Sequence, residues 1–110
     1  MSHERVYTTV SSIVPCRHME WPDDSAPNLP WALYYGEDTP IGADDMQLAV
    51  RHRWTVELYE ARRNKKLEEE LAGALRAEFG TVKRHESYVE NDNMLEVVFT
   101  FYEIEGEFDG

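Results

Sequence analysis

An α+β fold, a mostly antiparallel twisted sheet of about four to five strands with two helices packed on one face, is what this sequence predicts, and three observations carry the prediction. From Leu48 to Glu60, the residues Leu48, Val50, Trp54, Val56 and Leu58 alternate with Arg51, Arg53, Thr55 and Glu57. That period of two is the mark of a half-buried strand. From Asn64 to Phe79, Leu67, Leu71, Ala74, Leu75 and Phe79 recur at steps of three and four, opposite Lys65, Glu68, Glu69, Glu70 and Arg76. The spacing predicts an amphipathic helix. Beyond it, Val82 to Val89 and Met94 to Ile104 flank Glu90-Asn91-Asp92-Asn93, whose Asn and Asp side chains tolerate left-handed turn conformations. These two runs predict an antiparallel hairpin.

Taken in chain order, the predicted elements run α-β-β-β-α-β-β within one domain, residues 1–110. Val6, Val10, Ile13 and Val14 in the segment Glu4 to Val14 fit a helical stripe, while its Val, Thr and Ile content favours a strand; helix is the first reading and strand stays open. Pro15 ends it, and Cys16 to Trp21 reads as a short strand before the turn-rich Pro22-Asp23-Asp24-Ser25-Ala26-Pro27-Asn28. Trp31 to Tyr35 is short, apolar and aromatic, a second strand, and Gly36 to Asp45, with Pro40 and Gly42, reads as a polar connection. Asn64 is the expected N-cap of the central helix, since its side chain can accept from a first-turn amide, and Gly80 the expected left-handed stop. Glu105 to Gly110 reads as a flexible acidic tail.

The formal net charge of −11 disfavours binding nucleic acid through the general surface, because neutralising phosphates needs clustered Lys and Arg. It favours solubility, and it suggests either a basic protein partner or a surface that must not stick to nucleic acid. A single cysteine, Cys16, excludes an internal disulfide, so the fold needs no oxidising compartment. No stretch approaches the roughly 20 apolar residues of a membrane span, and no basic region followed by an apolar run opens the chain, so neither insertion nor secretion by that route is expected.

The residues offer little reactive chemistry. His3, His18, His52 and His85 stand far apart in sequence without metal-ligand spacing on a helix, and His52, between Val50 and Trp54, reads as a hydrogen-bonded core or interface histidine. Cys16 and His18 point to the same side of an extended segment, but no orienting group or oxyanion site accompanies them; Cys16 reads as a small core residue. The pairs Asp23-Asp24 and Asp44-Asp45 lack the alternating ligands of a calcium loop and read as turns or partner contacts. No glycine-rich phosphate loop is present. No catalytic residue, metal or cofactor is therefore expected. Of the aromatics Trp21, Trp31, Tyr34, Tyr35 and Trp54, Trp31 is the candidate for partial exposure at an interface.

Length carries the functional weight. A strand of about 12 residues spans roughly 40 Å, whereas a domain of this size has a radius of gyration near 13 Å. Such strands must bend or project, which suggests that part of each serves a neighbouring subunit.

Several strings, read in succession, resemble a family of small tail-component proteins of long-tailed bacteriophages and prophages assigned to tail completion or tail termination. They are Met19-Glu20-Trp21-Pro22, Leu29-Pro30-Trp31-Ala32-Leu33-Tyr34-Tyr35, Ala43-Asp44-Asp45, Thr55-Val56-Glu57-Leu58-Tyr59, Lys66-Leu67-Glu68, and Ser87-Tyr88-Val89-Glu90-Asn91 leading through Met94 to Val97-Val98-Phe99. The resemblance implies an N-terminal helix followed by a sheet with a second helix between its strands. It implies a virion structural protein, assembled in the host bacterial cytoplasm, that forms a homo-oligomeric, hexameric ring at the head-proximal end of the tail tube. Its partners would be the tail-tube protein and the head–tail connector, with DNA only as passing cargo and neither a membrane nor a small-molecule substrate involved. Asp23, Asp24, Trp31, Asp44, Asp45, Arg51 and Arg53 are the candidate interface residues. An alternative is an acidic monomeric binding module that engages a host or phage protein; a small enzyme using Cys16 and His18 ranks last.

Overall fold

The computed structural model describes residues 3–21, 26–43, 46–89 and 93–106. Over these residues the chain forms two helices, α1 (His3–Ser11) and α2 (Lys65–Phe79), and five strands: β1 (Cys16–His18), β2 (Trp31–Ala43), β3 (Met46–Glu60), β4 (Val82–Val89) and β5 (Met94–Gly106). The sheet order is β1-β2-β3-β5-β4, and every neighbouring pair except the parallel β1–β2 is antiparallel. The predicted α+β class and element order are observed.

Even-numbered residues of β2 and β3 and odd-numbered residues of β5 face the helices. Ala32, Tyr34, Trp54, Val56, Leu58, Val97, Phe99 and Phe101 form one core with Val6 and Val10 of α1 and Leu71, Ala72 and Leu75 of α2. Both helices cover this face. Burial of Val6 and Val10 outweighs the modest helix propensity of Val, Thr and Ser in α1, because packing of an apolar stripe stabilises a short helix more than propensity does. Arg5 clips α1 in place: its guanidinium donates to Glu78 Oε1 and to the Glu78 carbonyl, both at 3.0 Å, donates to Glu103 at 2.6 Å, and lies 4.8 Å over the Phe79 ring.

The central helix begins as expected and ends at the expected glycine, but not in the expected left-handed helical conformation. The Asn64 side chain accepts from the Leu67 amide at 3.1 Å, and Gly80, at φ 91°, donates its N–H to the Arg76 carbonyl at 2.9 Å. Its ψ of −134° takes the chain straight into β4 rather than through a left-handed helical turn.

Three expectations are corrected. The segment 36–43, expected to be a polar connection, continues β2 and pairs with β3 from Gly36↔Trp54 to Ala43↔Met46, with an irregularity between Ile41 and Gly42. The glycine is there for a neighbour: a Cβ on Gly36 would lie 2.6 Å from the Trp54 ring. Pro40 is tolerated because β1 pairs with β2 only as far as Tyr34, leaving the rest of β2 an edge among the described residues. The short strand expected over 16–21 ends at His18, since Met19 adopts φ 72°. Glu105 and Gly106, expected in a flexible tail, pair with Val50 and Ala49 as the end of β5; residues 107–110 lie outside the described residues.

The long strands extend the molecule. Its radius of gyration is 15.6 Å and its extents are 48 × 28 × 23 Å, against about 13 Å for a compact chain of this length.

Candidate functional site: the helix-free face of the sheet

Alternation sends the other set of strand residues to the face no helix covers. Its rows, read across β2, β3, β5 and β4, begin with Trp31, Tyr59, Glu96 and Ser87, then Leu33, Glu57, Val98 and His85, then Tyr35, Thr55, Thr100 and Lys83. Glu37, Arg53 and Tyr102 follow, then Thr39, Arg51 and Ile104. Trp31, Arg51 and Arg53, three of the candidate interface residues, are thus brought to one surface. Asp23, Asp24, Asp44 and Asp45, the other four, lie outside the described residues.

This face carries both charges, Glu57 and Glu96 toward one end and Arg53 and Arg51 toward the other, with Glu37 opposite Arg53. At one end, Tyr35 donates to Glu57 Oε2 at 2.9 Å, the Tyr59 hydroxyl donates to Glu96 Oε2 at 2.6 Å and reaches Glu57 Oε1 at 3.1 Å, and Ser87 donates to Glu96 Oε1 at 3.0 Å. Burial, joined by hydrogen bonding to the carboxylates and by their charge, pushes the Tyr59 phenol far above its ordinary range, so it stays a donor. Trp31 packs on Tyr59 with ring centroids 4.8 Å apart. At the other end, Arg53, Lys83, Arg84 and His85 surround a hollow of about 340 Å³ floored by Val98, Thr100 and Tyr102. Arg84, opposite Phe99 on the helix side of β4, donates to Glu69 at 2.9 Å, and Arg51 lies 5.0 Å over the Tyr102 ring. Neither Arg53 nor Lys83 makes an ion pair with a described residue.

The groups weighed for chemistry sit elsewhere and are held structurally. Cys16 is buried, and that burial pushes its thiol up to about 12, which leaves almost no thiolate at neutral pH. It borders a cleft of about 550 Å³ with His18, Tyr7 and Tyr34. The His18 ring packs instead on His3, centroids 4.7 Å apart, and on Tyr34 at 5.2 Å. His52 is 2% exposed, with Nδ1 2.5 Å from Asp38 Oδ1 and its ring stacked on Trp54. A histidine oriented by a carboxylate resembles part of a catalytic dyad, and here the ring is packed into the interior against Trp54. Among the described residues no three His, Cys, Asp or Glu side chains are grouped to hold a metal ion. No helix is long and apolar enough to cross a membrane.

One titratable pair escaped the sequence reading. Glu68, expected on the polar face of α2, is 1% exposed, as is Glu60 at the end of β3. Burial first, then the neighbouring Glu68 carboxyl, pushes the Glu60 carboxyl up to about 8, so Glu60 is largely protonated at neutral pH. Arg63 closes over them, with Nε 3.8 Å from Glu68 and its terminal nitrogen 2.5 Å from Glu86. The signal was present in the pattern: Glu60 continues the buried alternation of Trp54, Val56 and Leu58, and Glu68 stands one turn before buried Ala72. The carboxyl oxygens of both side chains are buried without a hydrogen-bond partner among the described residues.

In comparisons with known proteins, the sequence matches no family model and no curated protein.

Proposed function

We propose that the protein is a virion assembly part of a long-tailed bacteriophage: the subunit of an oligomeric ring, six-membered by the resemblance, that caps the head-proximal end of the tail tube and offers a surface for head joining. The observation that carries this reading is strand length. β2, β3 and β5 run 13, 15 and 13 residues, more than twice the usual five or six, and they stretch the molecule to 48 Å. A chain with no use for reach would fold more compactly. The helix–sheet–helix–sheet order agrees with what the resemblance implies, and the buried titratable groups are tied into packing, as suits a part that does no chemistry. The net charge of −11 suits a conduit lining that repels DNA and lets it pass.

The test is addition of the purified protein to polymerising tail-tube subunits. Electron microscopy should show a ring at one end of each tube and an arrest of elongation. Tubes that grow unchanged, with no protein bound at their ends, would refute the proposal. A stable monomer that instead captures a host protein in that assay would establish the acidic binding module.

A further inference from the structure

We infer that the hollow on the helix-free face is a binding site for a single phosphate group, free or as a small monoester, held between Arg53 of β3 and Lys83 and His85 of β4 over Thr100 of β5. The site is independent of the proposed ring.

Its shape follows from strand register. β5 lies between β3 and β4, so the two flanking strands stand about 10 Å apart. On the helix-free side of β5, Val98, Thr100 and Tyr102 take successive rows. His85 stands beside Val98, Lys83 beside Thr100, and Arg53 beside Tyr102. Long side chains thus rise from both flanks of a strand whose middle residue, Thr100, is small and half-buried. The difference in height leaves the hollow of about 340 Å³. That volume is at the small end of ligand pockets, about 300–1,000 Å³.

Charge selects the ligand. The acidic residues of this face are already engaged: both Glu57 oxygens accept from tyrosine hydroxyls, and the Glu96 oxygens accept from Tyr59 and Ser87. The cations are not. Glu37 stands opposite Arg53, yet the two form no ion pair, and exposed Lys83 forms none with a described residue. Arg53 lines the hollow instead. Arg84, at the margin, is engaged by Glu69. Two unpaired cations, an imidazole and the Thr100 and Tyr102 hydroxyls suit a compact dianion, which accepts at several oxygens at once. Arginine meets two oxygens of one phosphate as a fork, and lysine adds a point charge. A polyanion fits poorly, because further phosphates along a nucleic acid would run onto Glu37 or Glu57, on a chain of net charge −11.

Isothermal titration calorimetry on the full chain, with inorganic phosphate and with glycerol phosphate at constant ionic strength in chloride, tests the site. Each should bind saturably at one equivalent. Tighter binding of glycerol phosphate would identify the ester as the form carried, and equal binding the free ion; either result supports the site. Arg53→Gln and Lys83→Gln should each weaken binding by about tenfold or more, since each removes a charge-assisted contact. Arg76→Gln, the same change of charge at an exposed position of α2, should leave it unchanged. Thr100→Leu keeps both cations and fills the floor, so it should abolish binding, which a diffuse attraction would survive. Circular dichroism verifies that each variant is folded. A wild type that binds neither phosphate saturably, Arg53→Gln and Lys83→Gln proteins that bind as the wild type does, or an Arg76→Gln protein weakened to the same extent would each overturn the assignment. So would a short DNA duplex bound through the same two residues more tightly than either phosphate. None of these outcomes depends on whether the protein caps tail tubes.

Discussion

Glu60 is held in the form water would not choose for it. Its carboxyl is buried against that of Glu68, which pushes it up to about 8 from the ordinary value of 4.5. The folded state thus binds the proton more tightly than the unfolded state, and that stabilisation is complete below the unfolded value and lost as pH rises through about 8. Melting temperature should fall between pH 5 and pH 9. Glu60→Gln, nearly isosteric and unable to ionise, should flatten this slope and stabilise the protein at pH 9 by an amount on the order of 3 kcal/mol. Thermal melts of both proteins across that range are the check; parallel curves would show that the pair is not the source of the slope.

Elements are set by period where the period is clean and by neighbours where it is not. The alternation of β3, the stripe and Asn64 cap of α2, and the β4–β5 hairpin are all readable in the residues, because each depends on local geometry. The second half of β2 is not readable. Gly36, Pro40 and Gly42 are loop formers by local preference, and only pairing with β3 makes strand of them. Gly36 also provides the space that Trp54 fills. Gly36→Ala should destabilise the protein by about 1–3 kcal/mol in urea unfolding. Combining it with Trp54→Leu, which vacates the clash, should recover part of that loss. A double variant whose cost equals the sum of the singles would mean that the glycine serves backbone conformation instead.

At the scale of the molecule, an uncovered mixed-charge face and a covered apolar one make the sheet asymmetric. If copies of the chain assemble into the proposed ring, association is linked to folding and the melting temperature should rise with protein concentration. Arg53→Glu should abolish that dependence while leaving the dilute-limit melting temperature within a few degrees of the wild type, since Arg53 is exposed and makes no ion pair with a described residue. Scanning calorimetry over a dilution series measures both quantities.

Of the candidate surface, Arg51 and Arg53 were legible on the polar side of β3, and Trp31 by its type and place. Their union with Glu57, Glu96, Lys83 and His85 was not, because it requires the register of four strands. The sequence by itself determined the class of fold, the order of its elements and the single core, since those follow from periodicity, caps and turns within short windows. Only the tertiary structure decided that residues 36–43 are strand, that Glu60 and Glu68 are buried side by side, and that acidic and basic residues of four strands share one open face. Burial and charge pairing belong to residues distant in sequence, and strand register alone brings them together.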